Sequence, residues 1–140
     1  MVILPVTLKM KPEYKILLIG LLTIGVFDAL NPVISKQVKV HYLLTAIAFI
    51  VYCVFGFWGT KEKDLKTGVI IAAALGFFDS TIGWEIIMLF RTSTSNLKYD
   101  PTIGDWIFVA ILVTVLGALG GLTGGGLAKY LKARQLNKPN

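Results

Sequence analysis

The chain has 140 residues, 55% of them hydrophobic and only 16% charged, with mean hydropathy +0.72 and formal net charge +6. A soluble domain of this length needs more polar surface than that composition supplies, so the sequence reads as a membrane protein. One cysteine, Cys53, and one histidine, His41, exclude an internal disulfide and any zinc or haem site built from both types.

The opening MVILPVTL is apolar first, with Lys9, Lys11 and Lys15 after it. A secretory signal runs the other way, so no cleaved signal is expected and the first span stays in the membrane. Pro5 argues against a long helix in this segment. Four apolar runs follow, 14–34, 40–59, 67–90 and 105–128. Each is near the length of about twenty residues that a helix needs to cross roughly 30 Å of hydrocarbon. The expected fold is an all-α integral membrane protein, one four-helix transmembrane domain over residues 1–140. The joins at 35–39 and 61–66 are too short for a soluble domain, and the longest loop is 91–104.

Lysine and arginine set the orientation. Lys9, Lys11 and Lys15, then Lys61, Lys63 and Lys66, then Lys129, Lys132, Arg134 and Lys138 fall on one side; Lys36, Lys39, Arg91 and Lys98 fall on the other. The excess places both termini in the cytoplasm, in a multi-pass protein of the cell membrane. Tyr14, Trp58 and Tyr130 then mark the inner interface, and Tyr42, Trp84, Tyr99 and Trp106 the outer one. Topology absorbs most of the basic charge, and no basic stripe is interleaved with aromatics, so nucleic acid is excluded as a partner. The basic tail suits attraction to anionic headgroups of the lipid bilayer.

GVFDA at 25–29 resembles GFFDS at 76–80, at an offset of 51 residues from Asp28 to Asp79. A helix-distorting residue follows each Asp by four, Pro32 and Gly83. GFWG at 56–59 corresponds more loosely to GALG at 117–120. The spans group into two repeats, 14–59 and 67–128, each of two helices, so both copies enter from the same side and are parallel rather than inverted. On that reading the stripe Leu21, Gly25, Asp28, Pro32 faces the stripe Ala72, Gly76, Asp79, Gly83 across a pseudo-twofold axis. Small residues such as Gly25, Gly76 and Gly83 allow the close approach.

A charged Asp at mid-membrane costs about 2.5 to 3.5 kcal/mol on the insertion scale, so it faces the bundle interior and marks a functional path. Two facing carboxylates cannot both be ionised cheaply, and the pair would hold a proton or a small cation. Asn31, Ser80 and Thr81 are candidate neutral oxygen ligands. The competing structural reading has Asp28 near a helix end at Asn31-Pro32 and Asp79 capping a restarted helix, or either acid bonding a neighbouring backbone. Glu85 lies six residues after Asp79, about 120° around the helix. It is a weaker ion- or substrate-binding candidate, near the outer interface beside Trp84.

Gly117, Gly121 and Gly125, with Gly120 and Gly124 beside them, form a doubled small-xxx-small pattern, for packing inside the chain or for a homodimer contact. GGLTGGGLAK lacks the Gly-Lys-Ser/Thr ending of a phosphate loop, and no nucleotide is expected. Cys53 reads as packing and His41 as interfacial trim, and no serine, histidine and acid set suggests an enzyme or a cofactor. The sequence therefore points to a homo-oligomeric transporter or channel for a proton, cation or small solute. The alternative is a non-transporting membrane scaffold or assembly subunit of a larger complex.

Overall fold

The computed structural model describes residues 10–37, 41–83, 85 and 102–136, with side chains described for 10–30, 45–83, 85 and 102–136. Among them every regular element is helical: α1 (Pro12–Gln37), α2 (His41–Glu62), α3 (Leu65–Phe78, running on as a π turn through Asp79–Gly83) and α4 (Ile103–Leu136). Two are long and apolar enough to cross a membrane: α3 with its π turn, 19 residues, and α4, 34 residues. The opening segment with Pro5, the end of the expected third span at 86–90, Trp84, Arg91, Lys98 and Tyr99 lie outside the described residues. So do the side chains of Asn31, Pro32, His41 and Tyr42.

Local chemistry sets the helix ends. Pro12 opens α1 at a position where its missing N–H costs nothing. Asp64, extended at φ −156° and ψ 169°, caps α3, its carboxylate accepting from the Thr67 N–H at 2.7 Å. At α4, Thr102 and Asp105 cap reciprocally: the Thr102 N–H donates to Asp105 Oδ2 at 3.0 Å and the Asp105 N–H donates to Thr102 Oγ1 at 3.3 Å. Within the helices the hydroxyls of Thr23, Thr114 and Thr123 donate to carbonyls of their own helix. Each of these three donors is thereby satisfied within its own helix.

Thr67 hydrogen bonds, side chain first and then backbone, hold the Asp64 carboxyl below its ordinary value of 3.8. The folded state therefore favours the ionised form, so the cap's contribution is present at neutral pH and disappears as the pH falls below that ordinary value. Asp64→Ala should lower the melting temperature more at pH 7 than at pH 3. Equal loss at both pH values would show that Asp64 acts by something other than its charge.

Packing centres on α2, α3 and α4, each in contact with the other two; α1 docks on α2, α3 and the π turn and, among the described residues, does not touch α4. The glycine ladder of α4 explains the arrangement. Gly120 and Gly124 face α2, where a methyl on Gly120 would meet Tyr52 Cβ at 2.7 Å and one on Gly124 would run into the Cys53 carbonyl. Gly117 and Gly121 turn to α3, where a methyl on Gly121 would meet Val69 Cα at 2.8 Å, and Gly125 sits between α2 and α3, where one would meet Thr60 Oγ1 at 2.5 Å and Leu65 Cδ1 at 2.6 Å. Gly56 of α2 completes the seam against Gly121 Cα. Both glycine faces of α4 are thus consumed inside the chain, which removes them as a homodimer contact.

This packing corrects the expected stripe-to-stripe contact at Gly25 and Gly76, although Gly83 does meet Asp28 of α1. Gly76 faces α4, not α1; a methyl there would meet the Val113 carbonyl oxygen at 2.5 Å and Gly117 Cα at 3.3 Å. Gly25 is half-buried and a methyl on it would meet nothing within 4 Å, so it is no close-packing glycine. Backbones approach most closely where glycine faces glycine, and α4 outcompetes α1 for the small face of α3. α1 packs instead through the larger Ile16 and Ile24, which join Tyr52, Phe55, Ile71, Ala72 and Leu75 in the core.

Candidate functional site

α1 delivers Asp28, α2 delivers Tyr52, and the π turn delivers Asp79 and Gly83. Asp28 is 1% exposed, among the most deeply buried side chains described, and its Oδ2 has no hydrogen-bond partner among the described residues. The Asp28 and Asp79 carboxyls lie side by side, both against the position that a Gly83 β-carbon would take. The Tyr52 hydroxyl donates to Asp79 Oδ2. Three polar groups from three elements therefore converge in an otherwise apolar core.

Gly83 makes the convergence possible. A methyl on its Cα would stand 2.9 Å from Asp28 Cγ and 3.3 Å from Asp79 Oδ1, so both carboxyls occupy the space a side chain would fill. Any other residue at 83 evicts Asp28. Each acid also lies beside a local departure from the ideal α-helical ladder. α1 stays helical through Asn31 and Pro32 to Gln37, which corrects the expectation of a helix end there. Pro32 has no N–H, so the Asp28 carbonyl lacks its i+4 donor. Around Asp79 the wider π pattern replaces the α ladder, a distortion that occurs mostly as single turns and often at functional sites.

The other candidates fall elsewhere. Ser80 is buried, but its hydroxyl donates to the Phe77 carbonyl at 3.0 Å; Thr81 donates to the same carbonyl at 2.6 Å. Both hydroxyl hydrogens serve the helix backbone rather than the acid pair. Glu85 is exposed, apart from the buried pair in environment. The Asn31 side chain lies outside the described residues. Tyr52 is the member that sequence reasoning missed. A signal existed: of the five tyrosines, it alone sits mid-span rather than at an interface, where its hydroxyl needs a partner.

Among the described residues no three His, Cys, Asp or Glu side chains come together. The chemistry on offer is that of a carboxyl pair with a phenol. It can hold one proton between two acids, or bind a small cation through two carboxyl oxygens and the phenol oxygen. No family model, curated protein or solved structure matches the chain.

Proposed function

We propose that this chain is a four-helix, multi-pass protein of the cell membrane with both termini cytoplasmic, moving a proton, small cation or small solute through the Asp28–Asp79–Tyr52 cluster. The observation that carries the reading is the buried carboxyl pair seated in the space left by Gly83. A buried acid pair is costly in any bilayer, and a structural role alone would be served by neutral residues. In this reading one negative charge is shared, and a proton or cation that arrives or leaves changes what the pair attracts. Residue chemistry offers no nucleophile and base set, so the protein is read as no enzyme.

Support for membrane residence comes from apolar surface. Leu22, Val26, Phe108 and Ile111 are each more than half exposed, on helices in which the Thr23 and Thr114 hydroxyls donate to their own backbone. The N-terminal end of α1 and the C-terminal end of α2 are tied by Glu13 and Lys63 at 3.4 Å, and the Lys129–Lys132 turn of α4 shares a cleft with Lys61 and Lys63. Cations thus gather at one end of the bundle, in keeping with the charge asymmetry of the loops. The two-repeat reading rests on the GVFDA and GFFDS match, although α1 and α3 keep different neighbours. A homo-oligomer would have to assemble through faces other than the glycine ladder.

Asp28→Asn and Asp79→Asn test the reading. In proteoliposomes loaded with a pH-sensitive or sodium-sensitive dye, each variant should fold to the same yield. Its flux should fall by roughly 100-fold, the scale of losing a proton-transfer group. Wild-type protein that carries no proton, sodium or potassium, while a larger partner co-purifies with both variants as with wild type, would transfer the assignment to the scaffold alternative.

A further inference from the structure

Where Glu13 meets Lys63, the last turns of α2 and α4 enclose a cleft of about 660 Å³, in which Lys61, Lys63, Lys129 and Lys132 stand over Phe57 and Leu131. Asp64 also lines it, but its carboxylate is engaged by Thr67. Lys63 is tied to Glu13, whereas Lys61, Lys129 and Lys132 have no ion pair among the described residues. The cleft is therefore a concentrated positive site rather than a balanced one. Beside it, sharing Asp64 and Lys129, runs a second groove of about 520 Å³ between α3 and α4, walled by Leu65, Val69, Ile70 and Leu122. Those two helices are the ones apolar enough to cross a membrane, and the cleft lies at their end.

Cationic head and apolar trough are contiguous, and each alone would be ordinary. Together they match a molecule with an anionic end joined to hydrocarbon. Thr60 also lines the cleft, but its Oγ1 turns away to Gly68 and Gly125 in the glycine seam, so the cleft's charged donors are the lysines. Lysine is a suitable partner for a phosphate diester, acting as a point charge with three donors. At headgroup depth each such cation adds to the attraction for anionic lipid.

We propose that this cleft binds one anionic glycerophospholipid, its phosphate held by Lys61, Lys129 and Lys132 and an acyl chain lying in the α3–α4 groove. The inference rests on the membrane reading and is independent of the carboxyl pair. It identifies the bilayer as more than solvent for this protein, since a lipid clamped between α2, α3 and α4 braces the helix ends next to the glycine seam.

The test is native mass spectrometry of the full chain in detergent, titrated with phosphatidylglycerol, phosphatidylcholine or glycerol 1-phosphate. Wild type should retain phosphatidylglycerol over phosphatidylcholine. The triple variant K61Q/K129Q/K132Q should lose that retention by about tenfold or more. A charge-matched control, K11Q/K15Q/R134Q, should keep it; these cations line neither groove. Ile70→Trp, which fills the apolar trough from an exposed position, should weaken retention as well. All the altered side chains are exposed, so melting temperatures should match wild type. Equal loss in the control variant would reduce the effect to diffuse surface charge and overturn the site. Equal retention of the two lipids, an unaffected Ile70→Trp, or glycerol 1-phosphate binding as tightly as phosphatidylglycerol would each overturn it too. A chain that stays monodisperse without detergent would instead remove the membrane reading, a separable result.

Discussion

Gly124→Leu should drive α2 away from α4 and lower stability by about 3 kcal/mol, the upper end of the overpacking range. A β-carbon at this position would overlap the Cys53 carbonyl oxygen and lie 2.8 Å from Cys53 C and 3.0 Å from Cys53 Cα. All three atoms are backbone, so no rotamer change relieves the clash; a whole helix must move. The contact between the Cys53 thiol and Thr123 Oγ1, at 3.1 Å, would separate with it. Two residues on, Gly126 is exposed and a methyl there would meet nothing within 4 Å. Gly126→Ala should therefore hold or raise the melting temperature, since alanine is the better helix former. The pair of variants, compared by thermal unfolding in detergent, separates close packing from glycine content. If Gly124→Leu melts with wild type, α2 and α4 do not meet there.

Gly83→Ala should have the second large effect, on both stability and transport. The added methyl would coincide with the Asp28 carboxyl and crowd Asp79 Oδ1 at 3.3 Å. Evicting a buried carboxyl from its partner leaves polar atoms uncompensated, and a cost of about 1 to 3 kcal/mol is expected. Removing the evicted group should return part of that cost. Asp28→Ala combined with Gly83→Ala should be more stable than the sum of the two single changes, because the new methyl occupies vacated space. On the proposed transport function, the double variant should still carry neither proton nor small cation, since half of the acid pair is gone. Strict additivity of the two changes in unfolding free energy would mean that Asp28 and Gly83 are not in contact.

Much of this protein was legible in residue order. Apolar runs broken by lysines state that helices of spanning length exist, because hydrocarbon admits few other solutions. Acids placed inside such runs announce themselves, since each is costly unless it finds a partner. The small-residue spacing of α4 likewise foretold close packing on two adjacent faces, and Gly120 with Gly124 and Gly117 with Gly121 provide them. Other features could not be read. Gly25 sits in a span that is apolar nearly all round, so periodicity does not say which way it turns. Gly76 satisfies a stripe toward α1 as well as one toward α4, and only the competition among helices selects α4.

Residue order alone thus decides that long apolar helices form, that they carry two expensive carboxyls and which helix can pack most tightly. It does so because each of those properties has a local cost, paid by a residue wherever its neighbours are. Which carboxyl meets which partner is a different kind of fact. Asp28, Tyr52, Asp79 and Gly83 come from α1, α2 and the π turn, and they converge because α2, α3 and α4 pack together along the glycine seam while α1 covers the remaining side. The same assembly gathers Lys61, Lys129 and Lys132 around one cleft. Convergence of distant side chains depends on helix crossing and rotation, which packing energies set collectively and no single stretch of sequence encodes.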